Sequence, residues 1–241
     1  MATLEDGVVG SEGGSARCVS FLRSEWIEEE MERRLEEFAE VHEVRVVCGT
    51  WNANGKNLPS LGLDLKPWLV SLGGRGGPAD VYAIGAQEMV DLTAVNVVTE
   101  GKSGKRADAW CGMLDAALLD IGAAAGVRYT RLAAKHLVGV FLAVYARTDP
   151  APGRRFCADR CGRVEAAVAG VGVMGMLGNK GGCSVRFDAF ETSVCFVCAH
   201  LAAHRDNVDG RNSDVAAICA KTRFDLRDDD ARISAPTAPD G

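Results

Sequence analysis

A chain of 241 residues with 47% hydrophobic side chains is long enough for one medium core, or for most of a larger one. A formal net charge of −6 argues against a general nucleic-acid binder, which would be basic, and no apolar run is long and clean enough to span a bilayer. Glu5 and Asp6 stand where a secretory signal would turn apolar, and nine cysteines without a framework read as free thiols of a reducing, cytoplasmic compartment.

Residues 1–22 are rich in Gly and Ser and read as a mobile lead-in. Ser24 can cap a helix running to about Val41, with Trp26, Ile27, Met31, Leu35 and Phe38 as its apolar stripe. Val44, Val46 and Cys48 begin a strand over 44–50. It ends in Gly49-Thr50-Trp51-Asn52-Ala53-Asn54-Gly55, which is either a plain turn or a pair of amide oxygens aimed at a cation or a phosphate. A short helix follows over 64–72, with Pro67 tolerated in its first turn. The apolar run 80–86 is the second strand, and it delivers Gln87 and Glu88. A carboxylate at the end of a buried strand is costly unless paired or metal-bound. Hard oxygens on two strand ends, Asn52 and Glu88, suit Mg²⁺, which takes few protein ligands and keeps several waters.

Residues 101–106 read as a basic loop and 107–124 as an amphipathic helix through Trp110, Leu114, Leu118 and Ile121. His136 to Arg147 reads as the third strand and Asp149 to Cys161 as a surface loop. Gly170, Gly172 and Gly175 match G-x-G-x-x-G, but a strand follows instead of the helix that a dinucleotide site needs, and no Walker A loop occurs. Lys180, in the glycine turn 178–182, is a point charge suited to phosphate, or a solvated lysine in a hairpin. The run 193–199 is a buried strand that ends at His200, with His204 four residues on. On these residues alone His200 is as readily a structural histidine as a site residue. Cys195 and Cys198 have zinc-like spacing but face opposite sides of a strand. Cys157 and Cys161 lack a second ligand pair. Arg205 to Asn212 reads as a loop, Ser213 as the cap of a helix to about Phe224, and 225–241 as a disordered tail.

Four motifs occur in one order: Thr50-Trp51-Asn52-Ala53-Asn54-Gly55, Gln87-Glu88-Met89-Val90, Gly178-Asn179-Lys180-Gly181 and His200-Leu201-Ala202-Ala203-His204, followed by Arg211-Asn212-Ser213-Asp214. Together they resemble the inositol polyphosphate 5-phosphatase family over roughly 44–224, and the segment Glu88 to Val98, with Leu92 and Asn96, looks most like its synaptojanin-type members. The resemblance implies the endonuclease/exonuclease/phosphatase fold, an α/β four-layer sandwich of two β-sheets flanked by helices. It also implies Mg²⁺-dependent removal of the 5-phosphate from phosphoinositides or inositol polyphosphates, with peripheral membrane contact allowed and no nucleic acid as partner. By position, Asn52 and Glu88 are the metal-side residues and His200 the catalytic histidine on the scissile phosphate. Asn54, Asn179, Lys180 and His204 fall on the substrate side.

The family continues with Gly-Asp-x-Asn, Trp-Cys-Asp-Arg-like and Ser-Asp-His segments, none of which occurs here. The sequence therefore predicts an N-terminal extension over 1–43, a partial catalytic domain over 44–224 with its C-terminal part missing, and a tail over 225–241. It predicts weak activity or none, or a fragment that binds phosphoinositide or a partner without turnover. A nuclease of the same superfamily is the other alternative. Strands over 44–50, 80–86, 137–146, 165–175, 183–190 and 193–199 should form mixed sheets with an uncovered edge. Asn52, Glu88, Lys180 and His200 should converge on one face.

Overall fold

The computed structural model describes residues 25–90, 100–171 and 180–224. The expected mobile lead-in, the tail 225–241, the segment holding Leu92 and Asn96, the glycines Gly172 and Gly175, and Asn179 lie outside them. The chain divides into two compact units, Met1–His42 and Glu43–Gly241. In the first, helix α1 covers 25–33 and a further turn, α2, covers Leu35–Phe38. Arg33 pairs with Glu30 and Arg34 with Glu37, each three residues apart. The apolar stripe read from the sequence is present, and Trp26, Ile27, Met31, Leu35 and Phe38 are all exposed.

The second unit is built from two sheets. Sheet A has the order β1-β2-β4-β3, from β1 (Val46–Asn52), β2 (Val81–Gln87), β3 (Tyr129–Leu137) and β4 (Val140–Arg147). Its β1–β2 pair is parallel and the others antiparallel. Sheet B is the antiparallel meander β5 (Cys161–Gly170), β6 (Gly181–Ala189) and β7 (Thr192–His200). Helices α3 (Lys66–Gly73) and α4 (Glu100–Ala125) cover the outer face of sheet A, and α5 (Val208–Lys221) lies against β5 and β6. The layers run helix, sheet, sheet, helix, as the sequence resemblance predicts.

Period-two alternation sorts the strand residues between two cores. Tyr82, Ile84 and Ala86 of β2, with Phe141, Ala143 and Tyr145 of β4, pack against Trp110, Leu114, Leu118 and Ile121 of α4. Val81 and Ala83, with Val140, Leu142 and Val144, face Cys183, Val185, Phe187 and Cys198 of sheet B. Asp80 pins the far end: its buried carboxylate accepts from the Arg45 backbone N–H at 2.7 Å and pairs with Arg154 at 2.5 Å.

Three expectations are corrected. The third strand is two strands, because Val138 and Gly139 turn the chain and Tyr129–Leu137 forms an edge strand with a bulge near Arg131. Alanines and charges spread over that edge strand hide its alternation. The basic stretch 101–106 belongs to α4, since Ser103 and Ala107 are buried on the Trp110 face and the Ser103 hydroxyl donates to the Val138 carbonyl. Helix α5 starts at Val208, capped by Asn207, whose side-chain oxygen accepts from the Gly210 N–H at 3.1 Å; Ser213 lies inside it.

The two sheets approach closely at Gly85. A Cβ there would lie 2.6 Å from Cys198 Sγ and 2.9 Å from Cys198 Cβ. Gly85→Ala should therefore destabilise the unit by about 1–3 kcal/mol through overpacking. Chemical denaturation checks this, and Cys198→Ala in the same chain should restore only part of the loss, because the Cβ contact survives it.

Candidate active site

Each site residue is delivered by a strand end. Trp51 turns toward α3, where it meets Trp68 edge-on at 5.0 Å. Alternation then sends Asn52 to the opposite face of β1, toward sheet B. Continued alternation along β2 would send Glu88 to the helix-covered side with Ile84 and Ala86. Its left-handed backbone, φ 52°, ends the alternation instead. Asn54 at φ 50° and His204 at φ 76° share this conformation, which is costly for residues other than glycine and accumulates at functional sites. The Asn54 and Glu88 turns brace one another, because Ala53 N–H donates to Gln87 O and Gly55 N–H to Glu88 O, each at 2.8 Å.

The outcome is one chain of contacts. Asn52 Nδ2 donates to Glu88 Oε1 at 3.0 Å, His200 Nε2 lies 3.4 Å from the same oxygen, and Lys180 Nζ lies 2.8 Å from His200 Nε2. The Asn52 amide is oriented by its own turn, since its oxygen accepts from the Asn54 N–H at 2.9 Å, leaving the NH₂ to face Glu88. A protonated Lys180 donates to His200 Nε2, which makes that nitrogen the acceptor and puts the ring proton on Nδ1. Lys180 precedes Gly181, whose φ of 149° and close neighbours leave no room for a side chain: a Cβ would lie 2.3 Å from Ala169 O. The lysine thus sits on a strand start pressed against β5. Asn52, Glu88, Lys180 and His200 come together as the sequence predicts. Asn54 joins through its backbone N–H, and its side chain is exposed. His204 is exposed, and its carbonyl accepts from Arg211 Nη1 and from the Asn207 N–H.

Two residues escaped the sequence reading. Gln87 Nε2 donates to Thr50 Oγ1 at 2.8 Å and to Cys198 Sγ at 3.0 Å, tying β1, β2 and β7 together under the site. Asp214 Oδ2 accepts from the Ala202 N–H at 2.7 Å, which holds the loop after His200 to α5. Their signals were present, as the residue before Glu88 and the last residue of Arg211-Asn212-Ser213-Asp214, but a hydrogen bond across elements leaves no local pattern.

The donor set fits a hard divalent cation. Glu88 supplies a carboxylate whose side chain is 28% exposed, the Asn52 NH₂ orients it, and no thiolate is present among these contacts. Among the described residues no three His, Cys, Asp or Glu side chains form a larger cluster. Burial lowers the pKa of Lys180, while the charges of Glu88 and Asp214 raise it. A lowered pKa leaves more neutral amine at a given pH, so acetylation of Lys180 should set in below the ordinary lysine range as pH rises. Glu88→Gln removes a charge that favours the ammonium and should move that onset lower still. Peptide mass spectrometry across a pH series reads both, and an upward move in the variant would show that Glu88 does not act on the lysine.

Comparison with known proteins gives this geometry a family. The model of Endonuclease/Exonuclease/phosphatase family 2 matches residues 49–237. The chain is 32% identical over 223 residues to the type I inositol polyphosphate 5-phosphatase 8 of Arabidopsis thaliana, covering 79% of this chain and 44% of that protein. It is 35% identical to synaptojanin-2 of Rattus norvegicus, over 80% of this chain and 13% of that protein. Among solved structures it is similar to a synaptojanin inositol polyphosphate 5-phosphatase domain in complex with inositol (1,4)-bisphosphate and calcium ion. That match has a TM-score of 0.62 and 29% identity, and covers 83% of this chain and 52% of that one. The chain thus spans about half or less of the relatives it matches. It belongs to Endonuclease/Exonuclease/phosphatase family 2, and its relatives there are inositol polyphosphate 5-phosphatases and synaptojanins.

Proposed function

We propose that this chain carries the metal side and the phosphate side of an inositol polyphosphate 5-phosphatase site, with phosphoinositides or inositol polyphosphates as substrate. The observation that carries the reading is the run of contacts from Asn52 through Glu88 and His200 to Lys180, built from the ends of both sheets. A carboxylate, a histidine and a lysine within one another's reach suit a phosphate monoester beside a divalent cation. Glu88 is the residue that would hold Mg²⁺, with Asn52 orienting its carboxylate. The cation, when bound, supplies charge for the phosphoryl and leaving oxygens. Lys180 gives its ammonium to the phosphate in place of His200 Nε2, and that exchange frees Nε2 to carry the proton and donate to the phosphate, His200 being the catalytic residue. Asn54, Asn179 and His204 are assigned to the substrate mouth. The unit from 44 to 224 is the catalytic part, with 1–43 an extension and 225–241 a tail. Location in the cytoplasm, with peripheral membrane contact, belongs to the same proposal. Among the described residues no helix is long and apolar enough to cross a membrane.

Turnover by these 241 residues alone is expected to be slow. The chain matches only 52% of the solved synaptojanin domain, and a base positioned to activate water, which typically contributes about 10²–10⁴-fold, is not among the residues assigned here. Binding without turnover is the second reading, favoured by the 52% coverage of the solved synaptojanin domain.

The test is phosphate release from vesicles containing phosphatidylinositol 4,5-bisphosphate, with Mg²⁺ or EDTA, beside calorimetric binding of inositol (1,4)-bisphosphate. Lys180→Met and His200→Ala should each weaken binding about tenfold or more, the value of a lost hydrogen bond to a charged group. Glu88→Gln should abolish whatever Mg²⁺-dependent release the chain shows. Release that ignores both EDTA and Glu88→Gln would overturn the assignment. Plasmid nicking in place of phosphate release would assign a nuclease instead.

A further inference from the structure

Strand β4 leaves the Glu88 turn at Gly139 and carries Tyr145 toward its other end, where a cavity of ≈ 520 Å³ lies between α4 and the sheet. Asp115, Leu119 and Ala123 recur every four positions, so they form one flank of α4, beside the face that packs on sheet A. Across from that flank, Arg131 and Tyr145 are register partners and share one face of the sheet. Leu118 and Tyr145 close the inner side at 1% and 2% exposed, whereas Leu119 stands at the rim 70% exposed. The third wall is the turn after the helix. Gly126 takes φ 68°, Val127 N–H donates to Gly122 O at 2.9 Å and Thr148 N–H to Arg128 O at 3.0 Å. Gly122 admits this turn, since a Cβ there would lie 2.4 Å from Val127 O. Val127 and Arg128 are thereby fixed beside the opening from both sides.

We propose that this cavity binds an amphipathic anion, with an aliphatic chain against Leu119, Ala123 and Val127 and a carboxylate held at the rim by Arg128 and Arg131. The volume falls within the ~300–1,000 Å³ of ligand cavities, and the lining has their make-up, mostly apolar with a few converging polar groups. The charges decide the sign of the ligand. Two guanidinium groups line the cavity against one carboxylate, that of Asp115. Asp115 is already engaged, because its Oδ1 accepts from the Tyr145 hydroxyl at 2.8 Å. Its Oδ2 lies 3.7 Å from Arg131 Nη1, beyond hydrogen-bond reach. Arg131 also hydrogen-bonds the Cys111 thiol, and a guanidinium with five donors keeps capacity for a carboxylate. Arg128 pairs at 3.2 Å with Asp149, which is outside the lining; both side chains are well exposed, and such a pair holds a guanidinium weakly. Leu119 supplies exposed apolar surface that an aliphatic chain would remove from water. Because the walls are set before the ligand arrives, little ordering opposes binding. The cavity stands apart from Glu88, Lys180 and His200, and its aliphatic lining suits a chain that no inositol phosphate headgroup has.

Decanoate, decanol and decyltrimethylammonium should each be titrated calorimetrically against the full chain. The expected result is saturable decanoate binding, with the alcohol and the cation each weaker by about tenfold or more, the value of a charge-assisted hydrogen bond. The melting temperature should rise with decanoate concentration, and hydrogen exchange should slow at 127–131. Ala123→Trp fills the cavity and Leu119→Glu sets a like charge at its rim, and each should weaken decanoate about tenfold or more. Both positions are exposed, so thermal melts should show both variants folded. Arg128→Gln should weaken decanoate about tenfold and leave decanol unchanged. Inositol (1,4)-bisphosphate should not compete. Absence of saturable binding would overturn the proposal, and so would decanol or the cation binding as tightly as decanoate. Decanoate binding indifferent to both Ala123→Trp and Leu119→Glu would place the ligand elsewhere, on a surface such as the exposed stripe of Trp26, Ile27 and Met31, and would overturn it too. Competition by inositol (1,4)-bisphosphate would move the ligand to the Glu88 and His200 site, with the same consequence.

Discussion

Everything at the site depends on how closely β7 can approach β2. Stacked sheets ordinarily sit about 10 Å apart, a gap filled by side chains from both. Gly85 removes one of those side chains, and Cys198 of β7 moves into its place, near enough that a Cβ would meet its Sγ at 2.6 Å. Gln87 then reaches across to the same sulfur, and Cys198 Sγ faces the Ala86 carbonyl at 3.8 Å. Two residues beyond Cys198, on the same face of the strand, is His200. Two residues beyond Ala86 is Glu88. The contact fixes their separation before any polar interaction between them forms. A bulkier residue at 85 would lift β7 and carry His200 away from the carboxylate, although neither charged group had changed.

Upon that frame the polar groups neutralise one another. Glu88 is answered by the Asn52 NH₂ and by the charge of Lys180, and the charges of Glu88 and Asp214 favour the lysine's ammonium in turn. None of these pairs is deeply buried, so none contributes much to folding; exposed ion pairs are worth ~0–1 kcal/mol. Their arrangement has a chemical meaning instead. On the proposed reading, a phosphate entering between Lys180 and His200 would take over the lysine's charge-assisted hydrogen bond, and a cation on Glu88 would replace the positive charge so drawn away from the carboxylate. The strained turns at Asn54 and Glu88 adjoin this small region and are hydrogen-bonded to one another, as expected where backbone geometry is set by what the side chains must reach.

The parts of this arrangement that the sequence made legible are those written locally. Apolar runs of strand length ending in a polar residue marked Asn52, Glu88 and His200, and helical spacing marked Trp110, Leu114, Leu118 and Ile121. Tyr129–Leu137 was invisible because it is the edge strand of its sheet, where strict alternation is not needed, and Ala133, Ala134 and Lys135 blur what there is. The start of α5 was misplaced because Asn207 and Ser213 are equally good caps by type. What decides between them is Arg211, whose guanidinium donates to the His204 and Arg205 carbonyls and ties the first turn of the helix to the loop before it. Asp214 and Gln87 act across elements, through Ala202 and through Thr50 and Cys198, and long-range hydrogen bonds have no periodicity to read.

Charge shows most plainly how a bulk property can mislead. The chain has 33 acidic and 27 basic residues, and its net of −6 argues against a general nucleic-acid binder. Eleven of those acids, against four arginines, lie in Met1–His42, leaving 22 acidic and 23 basic residues in Glu43–Gly241. The unit that bears Glu88 and His200 is therefore close to neutral, and its approach to a phosphate is governed by local charges such as Lys180 and not by a repelling field. The acidic balance consequently carries little weight against a nucleic-acid substrate. The proposal of a phosphate monoester rests on the site itself: a carboxylate with a histidine and a lysine a few ångströms away, at the ends of strands that two sheets bring together.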